Sequence, residues 1–251
     1  MHISAAVEEI RVTDIEQCVR EYARSLDRPS RRMQLAIKRA LDFIIATLVF
    51  IFLTPLLGLL IVLIRLESQG AAIYSQRRLG RYGRIFTIYK LRSMRSGCEV
   101  VLNADGSTRV LENDARLTRL GKYMRTIGLD ELPQLINIIA GDMSLVGPRP
   151  DQEFHLSLYQ QSDYRKLALS PGITSLGQIE GRNAILWKER SAWEIKYVEQ
   201  FSLWLDLKII MRTFAVILNG VGAYNIDRSL EKSPAASRSA HLSKNRTEAN
   251  D

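Results

Sequence analysis

The sequence is poor in cysteine and lacks the spacings that cysteine chemistry needs. Only two cysteines, Cys18 and Cys98, occur among 251 residues, which excludes the disulfide framework of a small secreted domain and a zinc site of closely spaced ligands. Residues 1–30 are mixed and charged, unlike a secretory signal, so we expect the N-terminus to be retained. The Walker A sequence, GxxxxGK followed by Ser or Thr, is also missing, which excludes P-loop chemistry. These absences favour a reducing, cytosol-facing environment.

Acidic residues are the minority of the charged side chains. Asp and Glu number 27 against 35 Lys and Arg, for a formal net charge of +8. The expected partners are therefore anionic: nucleic acid, anionic lipid or a phosphorylated substrate. Charge alone does not select among these three. The hydrophobic content of 46% is enough to bury a core, and 251 residues allow one substantial domain or two small ones.

The longest apolar run covers residues 43–64 and contains no charged side chain. It is about as long as the ~20 residues that a bilayer-spanning helix needs, so we predict a membrane segment, and a straight transmembrane anchor is the simplest interpretation. Basic residues flank both ends, among them Arg31 and Arg39 before the run and Arg65 and Arg77 after it. Because basic flanks tend to stay cytoplasmic, both ends favour the same face of the membrane.

The middle of this run carries the dipeptide Thr54-Pro55. Pro55 removes an amide donor and crowds the preceding turn, while the Thr54 hydroxyl can bond backward along the helix and favour a bend. A proline also occurs in ordinary spanning helices. Together with the symmetric flanks, the dipeptide favours a broken helix that enters the membrane and returns to the cytosolic face. We also expect Lys38 and Asp42 to pair where the helix enters the headgroups.

The rest of the chain predicts an α+β fold that is mostly helical, with short strands. The strands are expected at 71–76 and 85–94, helices at 114–126 and 130–140, and one or two further helices at 193–221. The last helix could lie at a membrane surface or, equally, in a buried core. The predicted organisation is an N-terminal extension of open role (1–30), a re-entrant membrane helix (31–66), a cytosolic-face catalytic domain (67–226) and a disordered tail (227–251).

An acidic pair, Asp130 and Glu131, lies at the start of the helix expected from residue 130. These carboxylates could simply cap free amides and favour the positive end of the helix dipole, and on residue types alone that interpretation carries most weight. The setting is basic, however, because Arg125 precedes the pair and Arg149 follows it in a loop rich in Gly and Pro. Such a site can hold phosphates.

A diphosphate substrate would explain why an acidic pair lies among basic side chains. Attack at phosphorus requires charge neutralisation and a nucleophile that is ionised at neutral pH, and a carboxylate at a helix N-terminus meets the second need. A divalent ion is expected between carboxylate and phosphates, most naturally Mg²⁺. Lys90, Arg125 and Arg149 could hold the remaining phosphate oxygens. Lys90 would share one face of its strand with Arg92, although an exposed basic strand edge is an equal alternative.

Several motifs together resemble the monotopic phosphoglycosyl transferases, bacterial sugar transferases that start glycan assembly on undecaprenyl phosphate. In chain order they are Lys38-Arg39 with Asp42, Thr54-Pro55, FTIYKLRSM (86–94), RTIGLDELPQL (125–135), GDMSLVGPRP (141–150), residues 171–183, and SLWLDLKI (202–209). The resemblance covers residues 38–224, and the order and spacing of the motifs make it specific. It implies a re-entrant helix, in agreement with the flanking charges.

The resemblance also implies a reaction and its partners. Asp130 would be the nucleophile, displacing UMP from a UDP-sugar to form a covalent phosphosugar intermediate, and Glu131 would help the polyprenyl phosphate to attack it. Mg²⁺ would lie close to Asp130. The phosphate and nucleotide positions of the family match Lys90, Arg125 and Arg149, with Arg182 as a weaker candidate.

The implied location is the cytosolic face of the bacterial inner membrane, with glucose or galactose as the sugar and no nucleic acid as partner. The oligomeric state stays open, a homodimer being one alternative. Two other functions are kept: a non-catalytic binder of anionic surfaces, and an enzyme that transfers the bare sugar and releases UDP.

Overall fold

A computed structural model describes residues 2–99, 101–103, 108–111, 113–181 and 185–218, and their side chains from residue 14 to residue 216. The tail predicted at 227–251 lies outside the described residues. The fold within them is α+β and mostly helical, as predicted. The helices are α1 (His2–Ser25), α2 (Pro29–Glu67), α3 (Arg119–Ile127), α4 (Gln134–Ala140), α5 (Leu176–Glu180), α6 (Trp187–Gln200) and α7 (Leu203–Leu218).

The strands form two small sheets. They are β1 (Ile73–Leu79), β2 (Ile85–Leu91), β3 (Ser144–Val146) and β4 (Gly172–Thr174), and β1 pairs antiparallel with β2 while β3 pairs parallel with β4. Beyond the end of β2, Arg92 donates from its guanidinium to the carbonyls of Ser68 and Gln69, both at 2.6 Å. Arg92 thus follows the last residue of β2, Leu91, and its side chain binds the end of α2.

The helices around the acidic pair begin later than predicted. α3 starts at Arg119 because Thr118 is its N-cap, with the Thr118 hydroxyl accepting from the Gly121 amide at 2.9 Å. Residues 129–131 form a 3₁₀ turn, and α4 begins only after Pro133. Gly121 packs so tightly on the main chain after β2 that a Cβ there would overlap the carbonyl of Ser93. The turn that carries the acidic pair thus lies between two short helices.

The largest core cluster joins α1 to the rest of the fold. Val19 of α1 is buried together with Leu167, Tyr197 and Val198. Along this contact Arg20 stacks on Tyr82, which adopts the left-handed conformation at the tip of the β1–β2 hairpin (φ 61°). The C-terminal half of α1 therefore packs mainly against the segment Asp163–Ala168 and the tip of the hairpin.

α2 is the one helix of the described residues that is long and apolar enough to cross a membrane, and only 17% of its apolar window is buried. A stripe from Asp42 through Ala46 and Leu57 to Ile64 is buried on the rest of the protein. The opposite face is apolar and exposed, including Leu48 (64%) and Phe52 (82%). This pattern is unlike the core helix of a soluble domain, which is buried on its apolar side.

The helix is not divided at the predicted break. α2 continues through Pro55, and the Thr54 hydroxyl donates to the carbonyl of Phe50 at 2.7 Å, as expected for a backward bond. Both ends contact the same domain: Arg39 donates to the carbonyl of Ile138 at 2.6 Å, and Glu67 accepts from the amide of Arg119 at 2.7 Å.

The predicted Lys38–Asp42 pair is part of a network buried inside the protein. The Lys38 ammonium lies 2.7 Å from Asp206 of α7 and 3.8 Å from Asp42. Asp42 also accepts from the Ser144 hydroxyl at 2.6 Å, and Asp206 accepts from the Tyr197 hydroxyl at 2.7 Å. Charge pairing thus joins the start of the apolar helix to β3, α6 and α7.

α7 combines the two alternatives considered for it. Asp206 and Ile209 are buried, whereas Trp204, Met211 and Phe214 are each more than 60% exposed. Lys208 lies over the Trp204 ring on the exposed side. The helix therefore packs on the domain through one face and presents an apolar face with a cation, as interfacial helices do.

The Lys38 network should control the stability of the membrane-proximal fold. Lys38→Met leaves the carboxylates of Asp42 and Asp206 buried without their cation, so we expect the free energy of unfolding in detergent to fall by roughly 3–5 kcal/mol. Adding Asp206→Leu should recover part of that loss. Arg32→Met, which breaks the exposed Arg32–Asp27 pair on the same helix, should change little. Equal effects of the two single substitutions would contradict the assignment.

Candidate active site

One face of the β1–β2 hairpin forms a wall of the site. In the antiparallel register Tyr74 lies opposite Lys90, and Gln76 and Arg78 follow on the same face of β1 because side chains alternate along a strand. All four side chains line a cavity of about 450 Å³. The cavity also includes Asp130 from the 3₁₀ turn, so strand and turn meet there.

Neither carboxylate of the acidic pair caps a helix, which removes the simplest alternative for them. Gly128, in the left-handed conformation (φ 75°), ends α3 and starts the turn Leu129–Glu131. No side-chain cap hydrogen bond is made at the start of that turn or of α4. Asp130 is 6% exposed and Glu131 is half-buried. The two carboxylates are therefore available for interactions with groups in and around the cavity.

Glu131 is held between two of the predicted phosphate-binding residues. The Lys90 ammonium donates to Glu131 Oε1 at 2.6 Å, and the Arg149 guanidinium donates to the same oxygen at 2.7 Å. Burial alone would raise the pKa of Glu131, but Arg149 and Lys90 together hold it well below its usual value. Glu131 is thus an ionised carboxylate whose bonding capacity is largely used within the protein.

Asp130, unlike Glu131, is not paired among the described residues. Within the described part of the chain its carboxylate makes no hydrogen bond or ion pair, although Lys90, Arg125 and Arg149 are near enough to act on it electrostatically. Burial and, after it, the charge of Glu131 raise the pKa of Asp130. A more basic carboxylate with free lone pairs, facing a cavity, is the better nucleophile of the two.

The predicted cations differ in how far they are engaged. Arg125, near the end of α3, lines the cavity, and its buried Nε has no hydrogen-bond partner. Lys90 and Arg149 are brought to the same place, but both are paired with Glu131. Arg182 lies outside the described residues. The structure therefore brings together Asp130, Glu131, Lys90, Arg125 and Arg149.

A buried cluster behind Arg149 was not anticipated from the sequence. Asp151 is paired with Lys166, accepts from the Tyr159 hydroxyl at 2.8 Å and accepts from the Trp187 indole at 3.2 Å. Burial would raise the pKa of Asp151, yet Lys166 holds it below the usual value. Because Asp151 is two residues after Arg149, this cluster anchors the loop that carries it. No local sequence pattern points to it, because its members are spread from residue 151 to residue 187.

The donor set fits a Mg²⁺ ion that is shared with a substrate. The described residues contain no group of three His, Cys, Asp or Glu side chains that could hold a metal alone. Mg²⁺, however, commonly binds one or two carboxylates together with substrate phosphates and keeps several waters. Asp130, with its unpartnered carboxylate at the cavity wall, suits that arrangement.

Residues 33–220 match the family model described as bacterial sugar transferase. The chain is 40% identical over 204 residues to "Galactosyl transferase CpsE" of Streptococcus agalactiae, a match that covers 75% of this chain and 44% of that protein. It is 38% identical over 198 residues to "Exopolysaccharide production protein ExoY" of Rhizobium meliloti, covering 74% and 88%. It is 39% identical over 197 residues to the "UDP-glucose:undecaprenyl-phosphate glucose-1-phosphate transferase" of Caulobacter vibrioides, covering 74% and 72%.

The extent of these matches is unequal. The chain spans less than half of the length of CpsE and most of the length of ExoY. The matched segment 33–220 contains most of α2, the hairpin, the acidic turn and the loop of Arg149, whereas the whole of α1 precedes it. The chain belongs to the bacterial sugar transferase family.

Proposed function

We propose that the chain transfers a sugar 1-phosphate from a UDP-sugar to undecaprenyl phosphate and releases UMP, as the first membrane step of exopolysaccharide or another surface glycan. The names of the relatives support this class of reaction, and they favour glucose or galactose as the sugar. The observation that carries the proposal is the unequal state of two neighbouring carboxylates in one cationic cavity. Glu131 is paired and strongly acidic, whereas Asp130 is unpaired and more basic.

In the first step, a carboxylate oxygen of Asp130 attacks the phosphorus atom that bears the sugar. A new bond forms between that oxygen and phosphorus, and the bond from phosphorus to the bridging oxygen of UMP breaks, so that its electron pair leaves with UMP. No proton has to move, because the nucleophile is an anion. The raised pKa of Asp130 favours this attack as long as the group is ionised.

In the second step, a phosphate oxygen of undecaprenyl phosphate attacks the same phosphorus atom. The bond to Asp130 breaks, the carboxylate is regenerated, and the product is a lipid diphosphate that carries the sugar. The attacking phosphate is ionised at neutral pH, so this step does not depend on a strong base.

We assign Glu131 to positioning the cations of the cavity. Its pKa is held well below the usual range, which makes it a weak base. Its contacts with Lys90 and Arg149 instead orient an ammonium and a guanidinium toward the phosphates. Arg125, whose buried Nε has no hydrogen-bond partner in the described part, adds a third cation. Mg²⁺, when bound near Asp130, would neutralise phosphate charge and reduce repulsion between the substrate and the carboxylate.

The same proposal places the protein on the cytosolic face of the inner membrane, with α2 as a re-entrant helix that stays continuous through Pro55 and returns by bending there. A spanning helix would separate its ends by the hydrocarbon core of about 30 Å. Arg39 and Glu67, near the two ends of α2, both bind the catalytic domain. The exposed apolar faces of α2 and α7 provide the surfaces that lipid would cover.

Asp130→Asn should abolish the reaction. The amide cannot form the phosphosugar ester, so UMP release from a UDP-sugar should fall by about 10³-fold or more. Mass spectrometry of the protein mixed with UDP-glucose or UDP-galactose, without lipid, should find the adduct on Asp130 in the wild type only. Asp14→Asn, on exposed α1, is the control and should keep activity. An adduct on another side chain would overturn the nucleophile, and release of UDP would indicate transfer of the bare sugar.

Two substitutions beside Asp130 should shift the acid limb of the pH–rate profile of the first step in opposite directions. Asp130 must be deprotonated to attack, so its raised pKa sets the pH below which the rate falls. Glu131→Gln removes the negative charge that raises this pKa, and the limb should move to lower pH. Lys90→Met removes a positive charge that lowers it, and the limb should move to higher pH. Single-turnover UMP release against pH measures both; shifts of the same sign would exclude this coupling.

Cysteine labelling should decide the topology of α2. With Cys18 and Cys98 replaced by Ser, we expect Met33→Cys and Arg77→Cys, both at exposed positions, to resist a membrane-impermeant maleimide in intact cells. Both should react in inverted membrane vesicles. Labelling of one site in cells and of the other only in vesicles would show that α2 spans the membrane.

A further inference from the structure

Arg78 is a buried cation of the cavity wall that lacks a salt bridge within the described part of the chain. It lies on β1, on the hairpin face that carries Lys90. Its guanidinium donates to the carbonyl of Pro150 at 3.1 Å and to Gln76 Oε1 at 2.7 Å, and its buried Nε has no partner. No carboxylate of the described residues forms a salt bridge with it.

A cation in this state is costly unless an anion binds it. Burial lowers the pKa of Arg78 to about 10, with Arg149 as the next cause, so the group is still charged at neutral pH but lies in an unfavourable setting. Buried charges in proteins are normally paired or bind ligands. The hydrogen-bond partners of Arg78 are neutral, and the charges of Asp151 and Glu131, which act on it without a salt bridge, offset only part of the cost of burial. A ligand anion in the cavity would supply the missing negative charge.

Lys90 and Arg149 alone do not neutralise the charge of a diphosphate substrate. Lys90 and Arg149 share the charge of Glu131, so less of their positive charge is available to a substrate. A sugar nucleotide brings two negative charges on its diphosphate. Arg78 and Arg125 are two cavity arginines that form no salt bridge with a carboxylate among the described residues, and a third, Arg92, is bound to the main chain at the end of α2.

Arg78 is also held in one orientation by a chain of amides. Gln76 accepts from Arg78 and donates to Gln152 Oε1 at 2.8 Å, and Gln152 donates in turn to the Thr108 hydroxyl at 2.6 Å. All four residues line the cavity. Such a chain pre-orients the planar guanidinium, which reduces the entropy lost when it binds a phosphate.

We propose that Arg78, oriented by Gln76 and Gln152, binds a phosphate group of the sugar-nucleotide donor. This inference rests on the proposed function, because the donor is the diphosphate of that reaction. The acceptor lipid also carries a phosphate, so the two sources have to be separated by experiment. The donor is favoured because it brings two adjacent phosphate groups, which together need more cations than the single phosphate of the lipid.

The test measures binding and turnover of Arg78→Met in the full-length protein in detergent. Charge-assisted hydrogen bonds lost from a buried site should weaken UDP binding about tenfold or more, measured by calorimetry, while weak binding of uridine should not change. The KM for the UDP-sugar should rise, and the KM for undecaprenyl phosphate should stay the same. Arg78→Lys, which keeps the charge but not the planar fork, should lie between wild type and Arg78→Met.

The neighbouring arginine is the matched control. Arg77 lies on the opposite face of β1 and pairs with Glu153 at 3.1 Å on the surface, so Arg77→Met should leave UDP binding unchanged. Gln76→Leu, which removes the orienting amide and keeps Arg78, should weaken UDP binding by less than Arg78→Met.

The outcomes separate this inference from the proposed function. If the wild type releases UMP and Arg78→Met binds UDP as tightly as Arg77→Met does, Arg78 is not a phosphate ligand. If only the KM for the lipid rises, the phosphate is that of the acceptor and the donor assignment is overturned. If Arg78→Met also loses uridine binding, that variant is misfolded and Arg78→Lys takes its place in the test. The proposal is then overturned if both Arg78→Lys and Gln76→Leu bind UDP as tightly as the wild type does. A wild type that releases no UMP refutes the proposed function instead.

Discussion

The site depends on the contact of Glu131 with Lys90 and Arg149. These three residues come from the 3₁₀ turn, the hairpin and the loop after β3, so one charged cluster fixes the relative positions of three segments. The same contact gives neighbouring carboxylates different properties. Glu131 is satisfied and acidic, and Asp130 is left with free lone pairs beside its negative charge. A reaction that needs one nucleophile and a positively charged surface for phosphate obtains both from a single arrangement.

Further contacts hold the segments that carry Arg149 and Lys90 in place. Asp151, held by Lys166 and by two aromatic donors, fixes the backbone just after Arg149. On the other side, Arg92 holds the end of α2 through main-chain carbonyls while Lys90, two residues earlier, faces the acidic turn. The strand that supplies a cation to the site is therefore also attached to the end of the apolar helix. Lys38 makes a comparable attachment near the start of that helix.

Local patterns predicted the elements and the acidic pair, and long-range contacts decided the rest. The apolar run, the two hairpin strands and the Gly141 helix end follow from composition and periodicity, so they were found within a few residues. The later starts of α3 and α4 depend on Thr118 and Pro133, whose effects compete with the apolar pattern. The partner of Lys38 is 168 positions away, and no local rule selects Asp206. The division of roles between Asp130 and Glu131 likewise depends on which cations reach each carboxylate. The unpaired charge of Arg78 depends in the same way on the lack of a carboxylate within reach of a salt bridge among the described residues.

The close packing of Gly121 has a consequence for the geometry of the reaction. Because α3 rests through this glycine on the main chain of Ser93, the spacing between the hairpin and the helix leading to Asp130 is set by backbone atoms. Substitutions of other side chains along this interface can then alter which sugar or lipid fits without changing that spacing. The backbone contact thus fixes the frame of the reaction, and the side chains of the cavity wall fix its selectivity.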